Sequence, residues 1–204
     1  MFQITRKSDS RILRAFAHKV ADIPNGVTVA TSSLVPGVPL QEGAVVGRNS
    51  STGVFHLVKT AVLAANAAND ATTYTVKKGH HFKVGDFISA GIGKKAYAIT
   101  AIATNSGDAT CDDLSVGTTL GVAISAGEAI VQAKEQATGN TSALKYAAPY
   151  AVVGDSYNVV AGTNIFAQAW LIGVIKGALA PAAPRGRYRK GPRCKNWPRS
   201  HRAS

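Results

Sequence analysis

Between Thr72 and Ala133, apolar and polar positions change places every residue or two, in short runs cut apart by glycine-bearing turns. Thr73–Lys77 alternates on β-branched residues, and Phe82–Ile88 is a second run with Gly85-Asp86 at its middle. Ala96–Ile102, Leu114–Val116, Thr119–Ile124 and Ala129–Gln132 follow, with turn signals at Gly79, Gly91, Gly93, Gly107, Gly117 and Gly127. A side-chain period of two turns one face inward and the other outward. Strands recurring every ~8–12 residues between such turns predict a small all-β barrel or sandwich. No stretch within it has the spacing and length of a helix.

The same pattern divides the rest of the chain. Residues 1–21 read as an N-terminal arm with a short helix, capped by Ser8 or Asp9, in which Ile12, Phe16 and Val20 recur at i, i+4 and i+8. Such a stripe packs on its own domain or docks on a neighbouring subunit. Residues 22–71 are a turn-rich β segment. Val27–Thr31 and Val54–Val62 read as strands there, and Pro24, Pro36 and Pro39 place the segment along an edge or surface. His56 reads as a structural histidine within the second run. One echo is visible: Gly37–Gly43 and Gly121–Gly127 share the pattern Gly-Val-x-aliphatic-x-x-Gly. Two turns and a two-point apolar contact explain it, and so does chance.

Residues 72–133 form the predicted barrel core, and residues 134–180 close it or form an oligomer interface. In that last segment Ile165–Ile175 is apolar on both alternating faces. Phe166, Trp170, Ile172 and Val174 lie on one, and Ile165, Ala167, Ala169, Leu171 and Ile175 on the other. A strand apolar on both faces must be covered on both. It is either the centre of a two-layered domain or buried by another copy of the chain, with Phe166, Trp170 and Ile172 as candidate subunit contacts.

Composition changes this picture at the ends. The 204 residues are 46% hydrophobic and only 7% aromatic, so the core is one of Ala, Val, Ile and Leu. The net charge of +12 is uneven: residues 1–20 hold +4, residues 181–204 hold +8, and the body between is balanced. Residues 181–204 have no periodicity and read as an extended basic C-terminal tail. Its cations are Arg185, Arg187, Arg189, Lys190, Arg193, Lys195, Arg199 and Arg202, interleaved with Tyr188 and Trp197. Such a tail neutralises phosphates, lines an acidic groove on another protein, or is simply solvated. Cys111 and Cys194 are far apart and read as unpaired thiols, in keeping with assembly in a reducing cytoplasm. No secretory h-region follows the basic N-terminus. Ile165–Ile175 is also far short of the ~20 apolar residues a spanning helix needs, so no membrane partner is expected.

Chemistry is sparse. His80 and His81 are adjacent, as are Asp112 and Asp113, so on a strand each pair would point to opposite faces and could not share one metal ion. No nucleophile elbow, zinc-protease or phosphate-loop motif occurs, and Gly91-x-Gly93 is explained by a hairpin turn. The expectation is a protein that is no enzyme and takes no cofactor or metal.

The chain resembles the head fibre or capsid decoration proteins of tailed bacteriophages, as found in phages of gut Bacteroidetes. The resemblance is carried by Tyr74–Gly79 (YTVKKG), Phe82–Ile88 (FKVGDFI), Ala98–Ile102 (AITAI), Asp113–Val116 (DLSV), Thr119–Ala123 (TLGVA) and Ala126–Ala133 (AGEAIVQA). The late segment Ala169–Ile175 (AWLIGVI) fits the same picture, and the basic tail departs from it. The resemblance implies a structural virion protein on the outer capsid surface, assembled in the host cytoplasm, usually as a homotrimer, with the major capsid protein as partner. Arg6, Lys7, Arg11, Ile12, Arg14 and Phe16 are then candidate capsid contacts. Two alternatives stand beside it: a nucleic-acid-binding β-barrel module with a cationic tail, or another virion component of the tail, collar or inner shell. Against a stacking platform, Tyr74, Phe82, Phe87 and Tyr97 are scattered among aliphatic positions rather than clustered.

Overall fold

The computed structural model describes residues 16–146 and 149–175, and these form an all-β protein of two sheets with no helix. The first sheet uses β1 (Phe16–Asp22), β2 (Val27–Val29), β3 (Val45–Arg48), β4 (Phe55–Leu57), β11 (Pro149–Val153), β12 (Ile165–Ala167) and β13 (Ala169–Ile175). The second uses β5 (Thr60–Val62), β6 (Thr73–Lys77), β7 (Phe87–Ser89), β8 (Ala96–Thr104), β9 (Cys111–Val116) and β10 (Ala129–Ala133).

Both sheets close. The first runs β1-β13-β11-β3-β4-β2-β12. Its two ends are one bent ribbon, because a turn of four residues joins β1 to β2 and Gln168 alone joins β12 to β13. Asn25, at φ 64°, takes the left-handed position of that turn after Pro24. Gly26 follows so close to Ala167 that a Cβ there would lie 2.6 Å from its carbonyl oxygen. The second sheet runs β5-β10-β7-β8-β9-β6. It is closed by a bridge from Leu63 to Val76 and by the Ala64 N–H donating to the Thr75 carbonyl at 2.9 Å. Closure removes sheet edges, which otherwise invite pairing with other chains.

Each barrel has its own core. Val27, Val29, Leu34, Leu40, Val46 and Ala167 are among the residues that fill the first. Tyr74, Phe82, Ile88, Leu114, Leu120 and Ile130 are among those that fill the second. The buried Tyr74 hydroxyl is satisfied twice, donating to the Ala71 carbonyl at 2.8 Å and accepting from the Leu120 N–H at 3.1 Å. Tyr74 and Phe82 are thus core residues of the second barrel, Tyr97 is half-buried against the same core, and Phe87 is half-buried against a separate cluster of Ala96, Ala133 and Ala137.

The echo proves to be two of four copies of a single turn. Leu34, Leu40, Phe82 and Ile124 are buried, and each is followed three residues later by a glycine at positive φ: Gly37, Gly43, Gly85 and Gly127. Each glycine N–H donates across the fold, to the carbonyls of Val159 (3.2 Å), Val153 (2.8 Å), Ile99 (2.9 Å) and Leu63 (2.8 Å) respectively. The residue after each glycine closes a type II turn by donating to the carbonyl two residues before that glycine.

Several expectations are corrected. Residues 16–20 belong to strand β1, not a helix; positions i, i+4 and i+8 share a face in both periods, and pairing with β13 decides for the strand. Val54–Val62 is two strands in different barrels, because the chain crosses over at Val58 and Lys59. Phe82–Ile88 is broken by the turn at Gly85, so β7 begins only at Phe87. Thr119–Ile124 is a loop: Gly121 sits at φ 68°, and only Ile124 makes a bridge, to Ala67. The proline-bearing segment does not lie along an edge. The prolines occupy its loops, while β3 pairs on both sides, with β11 and β4. Ile165–Ile175 is interrupted at Gln168, whose carbonyl accepts from the Gly154 N–H at 2.8 Å and whose N–H donates to the Tyr157 hydroxyl at 2.9 Å.

Candidate functional site

Two regions draw attention, a polar seam between the barrels and the apolar ribbon that leaves the first one. The seam forms where β4 passes into β5. Lys59 is 2% exposed, and its Nζ lies 2.7 Å from Asp86 Oδ2. The turn at Gly85 delivers this carboxylate, which also accepts from the Lys83 N–H at 2.9 Å and from Gln132 Nε2 at 2.8 Å. Burial lowers the Lys59 pKa, opposed by the hydrogen bond and charge of Asp86. Val45, Val58, Val131 and Leu144, which include residues of β3 and β10, form a small apolar cluster of their own.

The loop from Gly79 to Lys83 staples the barrels together. His81 Nδ1 accepts from the Val35 N–H at 3.2 Å, and its Nε2 faces the Pro39 carbonyl at 3.3 Å, which sets the proton on Nε2. Burial pushes the His81 pKa down to about 4, so the ring is a neutral strut. Lys83 Nζ adds a bond to the Ser32 carbonyl at 3.1 Å. His80 turns the other way, its Nε2 3.3 Å from Asp112 Oδ2 at ion-pair distance without hydrogen-bond alignment. Burial, ahead of the opposing effect of Asp112, lowers its pKa. Asp113 points to the opposite face of β9 and accepts from Thr75 Oγ1 at 2.6 Å and from Asn105 Nδ2. Asp112 and Asp113 therefore separate as strand alternation requires, whereas His80 and His81 separate within a loop rather than on a strand. No group of three or more His, Cys, Asp or Glu side chains placed to hold a metal ion occurs among the described residues.

The cavity at the seam, bounded by Leu40, Leu57, Thr60, His80 and His81, holds about 40 Å³. That is room for a few waters and far below the ~300 Å³ of a small-molecule site. His56 stacks on Tyr146 with ring centroids 4.6 Å apart. The contacts of the seam tie the two barrels together. Its signal in the sequence was a lysine inside the apolar run Val54–Val62, and its partner lies 27 residues away.

The ribbon is different. β1 pairs with β13 from Phe16↔Ile175 to Asp22↔Trp170, while β11 reaches β13 only at Ala169 and Trp170. Beyond Trp170 the two strands pair with each other alone among the described residues. On the ribbon and its continuation, Ile165, Ala167 and Ala169 point into the core, whereas Phe166 is 67% exposed, Ile172 58% and Leu171 49%. Covering of both apolar faces by the chain's own described residues is thereby excluded. Two of the three candidate subunit contacts, Phe166 and Ile172, are open. Trp170 is only half-exposed and has a structural task, since its indole lies against Gly154 so closely that a Cβ there would be 2.6 Å from Nε1. Leu171, expected on the opposite face, joins the exposed set because the ribbon has already left the barrel. A hollow of about 260 Å³ lies at the ribbon's base, between the turn at Asn25 and the side chains of Phe166, Gln168 and Trp170.

Of the candidate capsid contacts, only Phe16 lies within the described residues, as the first residue of β1. Arg6, Lys7, Arg11, Ile12 and Arg14 lie outside them, as do Cys194 and the tail cations Arg185, Arg187, Arg189, Lys190, Arg193, Lys195, Arg199 and Arg202. Cys111 is buried and free, its Sγ 3.4 Å from Asp108 Oδ2. Comparison of the chain with protein-family models, with curated proteins and with solved structures finds no match.

Proposed function

We propose that the chain is a structural virion protein that decorates a phage capsid. In this reading the two barrels are the body, and the ribbon face is the surface covered on assembly, by further copies in a homotrimer and by the major capsid protein. The observation that supports it is the ribbon itself. A two-stranded antiparallel ribbon is marginal in water unless something packs on it, and this one presents Phe166, Leu171 and Ile172 to solvent. The seam supplies cohesion between the barrels and calls for no substrate. The sequence resemblance supplies the identity of the assembly.

Cosedimentation with empty shells of a major capsid protein from the same genome, once one is found there, tests the reading. The parent chain is expected to pellet with shells, and the double variant Phe166→Ser/Ile172→Ser to stay in the supernatant with an unchanged thermal melt. A parent chain that never pellets with shells would sink the proposal.

A further inference from the structure

The second barrel is an insertion in the first, since β5 to β10 stand between β4 and β11 in the chain. The chain therefore crosses between the barrels twice, and both crossings lie together. At the first, the Val58 N–H still donates to the Val45 carbonyl of the first barrel at 2.9 Å. The next carbonyl, of Lys59, already accepts from the Gln132 N–H of the second barrel at 2.9 Å. At the other, Leu144 bridges to Ala133 in the second barrel, and Tyr146 stacks on His56 of the first. Val45, Val58, Val131 and Leu144 share one buried cluster, with Tyr146 packed against it. Two crossings at one compact point make a hinge, where a few dihedrals reorient one barrel without breaking either ladder. The Gly79–Lys83 loop is the latch. It reaches the loop between β2 and β3 through His81, at the Val35 N–H and the Pro39 carbonyl, and through Lys83 at the Ser32 carbonyl. The small cavity of the seam lies between latch and hinge, lined by Pro39 and His81 as well as by Val45 and Val58.

We propose that acid releases this latch: protonation of His81 at Nδ1 frees the loop, and the second barrel swings away on its hinge while both barrels stay folded. The inference does not rest on the virion reading, because its evidence is the joint between the barrels rather than the apolar ribbon. His81 is 5% exposed, and its neutral ring uses both nitrogens across the joint, Nδ1 accepting and Nε2 donating. A second proton sets an N–H against the Val35 N–H and leaves a buried cation. Lys59, Lys83 and His80 act on the ring with charge of the same sign, and the Asp86 carboxylate is engaged by Lys59. The closed joint holds the ring's pKa at about 4, whereas a ring released into water returns to its ordinary 6.5. Opening thus takes up a proton, and the ratio of open to closed chains should rise about 20-fold from pH 7 to pH 5 and about 100-fold by pH 4. Phe82, between His81 and Lys83, is buried in the second core and keeps the loop with its own barrel. Each barrel has a core of its own, which the opening leaves intact.

The test is a distance measured across the joint in the full-length chain. Spin labels are attached at pH 7 to Thr28→Cys in β2 and Ala103→Cys in β8, both exposed positions, with Cys194→Ser and the buried Cys111 left in place. Dilution with unlabelled chain confines the reading to pairs within one molecule. The distance found at pH 7 should be joined by a longer one, whose population relative to the first grows about 20-fold by pH 5 and reverses on neutralisation. Far-ultraviolet circular dichroism should still report folded strands as it appears. His81→Gln should keep the pH 7 distribution at every pH, and His80→Gln, whose ring turns towards Asp112, should open as the parent does. A distribution unchanged down to pH 4 overturns the inference, as does lengthening that comes only with loss of the dichroism signal. So does opening that His81→Gln leaves intact or that His80→Gln removes. Should His81→Gln fail to fold, the His81 ring is titrated in the parent by nuclear magnetic resonance. It must take up its proton in step with the distance change, and a ring that titrates apart from it overturns the latch.

Discussion

The seam and the ribbon handle the same difficulty in opposite ways. At the seam, polar groups are buried where apolar ones would cost less, and the chain answers most of them from within: Asp86 meets Lys59, Gln132 Nε2 and the Lys83 N–H, while Gln132 Oε1 has no partner among the described residues. On the ribbon, apolar groups are left in water, and no described residue answers Phe166 or Ile172. A buried network that is largely satisfied from within contributes to cohesion. An exposed apolar face costs solubility, and in the proposed virion protein further copies or the capsid protein would cover it. The contrast therefore separates stability from association, and substitutions in the two regions should move different observables.

The largest stability effect belongs to the seam. Asp86→Ala leaves the Lys59 ammonium buried without its partner, which typically costs about 3–5 kcal/mol, and it also removes the acceptor of the Lys83 N–H. Lys59→Met should cost only roughly 1–2 kcal/mol, because Asp86 is partly exposed and keeps two donors. Chemical denaturation of the two variants checks the order. Equal losses would mean that Lys59 is already neutral in the folded protein.

The next effect is a pH dependence carried by His81. Its folded pKa is about 4 against an ordinary 6.5, so between these values the unfolded chain binds a proton that the native ring refuses. The stabilisation is complete above pH 6.5 and is lost progressively as pH falls towards 4, by an amount on the order of 3 kcal/mol. His80 and His56 are lowered as well, chiefly by burial, and steepen the same fall. Denaturation midpoints across pH 7 to 4 should drop for the parent. For His81→Gln, which starts less stable because the strut is disturbed, they should drop less. Parallel curves for the two proteins would remove His81 as the cause.

These effects were unevenly legible in the sequence. Alternation exposed β6, β8, β9 and β10 of the second barrel because each stays in one sheet, and the turn glycines marked most of their ends, while the loop at Thr119–Ile124 carried the same pattern without pairing. The crossover at Val58 and Lys59 was hidden, since a strand that changes barrels keeps its apolar pattern while its partners change. The start of β1 was ambiguous for a geometric reason: a spacing of four residues is in phase with both a helix and a strand. The ion pair was invisible because Lys59 and Asp86 meet only through tertiary packing. Two copies of the glycine turn were visible as an echo. The other two, ending at Gly37 and Gly85, lack the Gly-Val pair before the buried anchor, where Thr31-Ser32 and Gly79-His80 stand instead. The ribbon was the most legible part of the site, since apolar residues on both alternating positions announced a face in need of cover.

A smaller effect isolates the turn that both barrels share. At Gly127, φ is 84° and a Cβ would meet no atom within 4 Å, so Gly127→Ala tests backbone conformation alone. The expected loss is about 1–2 kcal/mol. Gly139→Ala is the control: a Cβ there also meets nothing within 4 Å, and its φ is outside the positive region. It should be neutral or stabilising by up to about 1 kcal/mol. Equal melts for the two variants would deny the turn its role.

The smallest stability effect is expected on the ribbon, where its absence is informative. Ile172 is 58% exposed and Phe166 67%, so Ile172→Ser and Phe166→Ser should each shift folding by no more than about 0.5 kcal/mol. Trp170→Ala is a poorer probe, because the indole is packed on Gly154 and its loss disturbs the closure of the first barrel. Light scattering should show the parent chain as an oligomer and the serine variants shifted towards monomer at unchanged melting temperature. A parent that is monomeric at high concentration would remove the second copy as the cover and leave the capsid protein to supply it. Variants that melt early would mean that Phe166 and Ile172 are packed within the chain itself, and the contrast between seam and ribbon would then collapse.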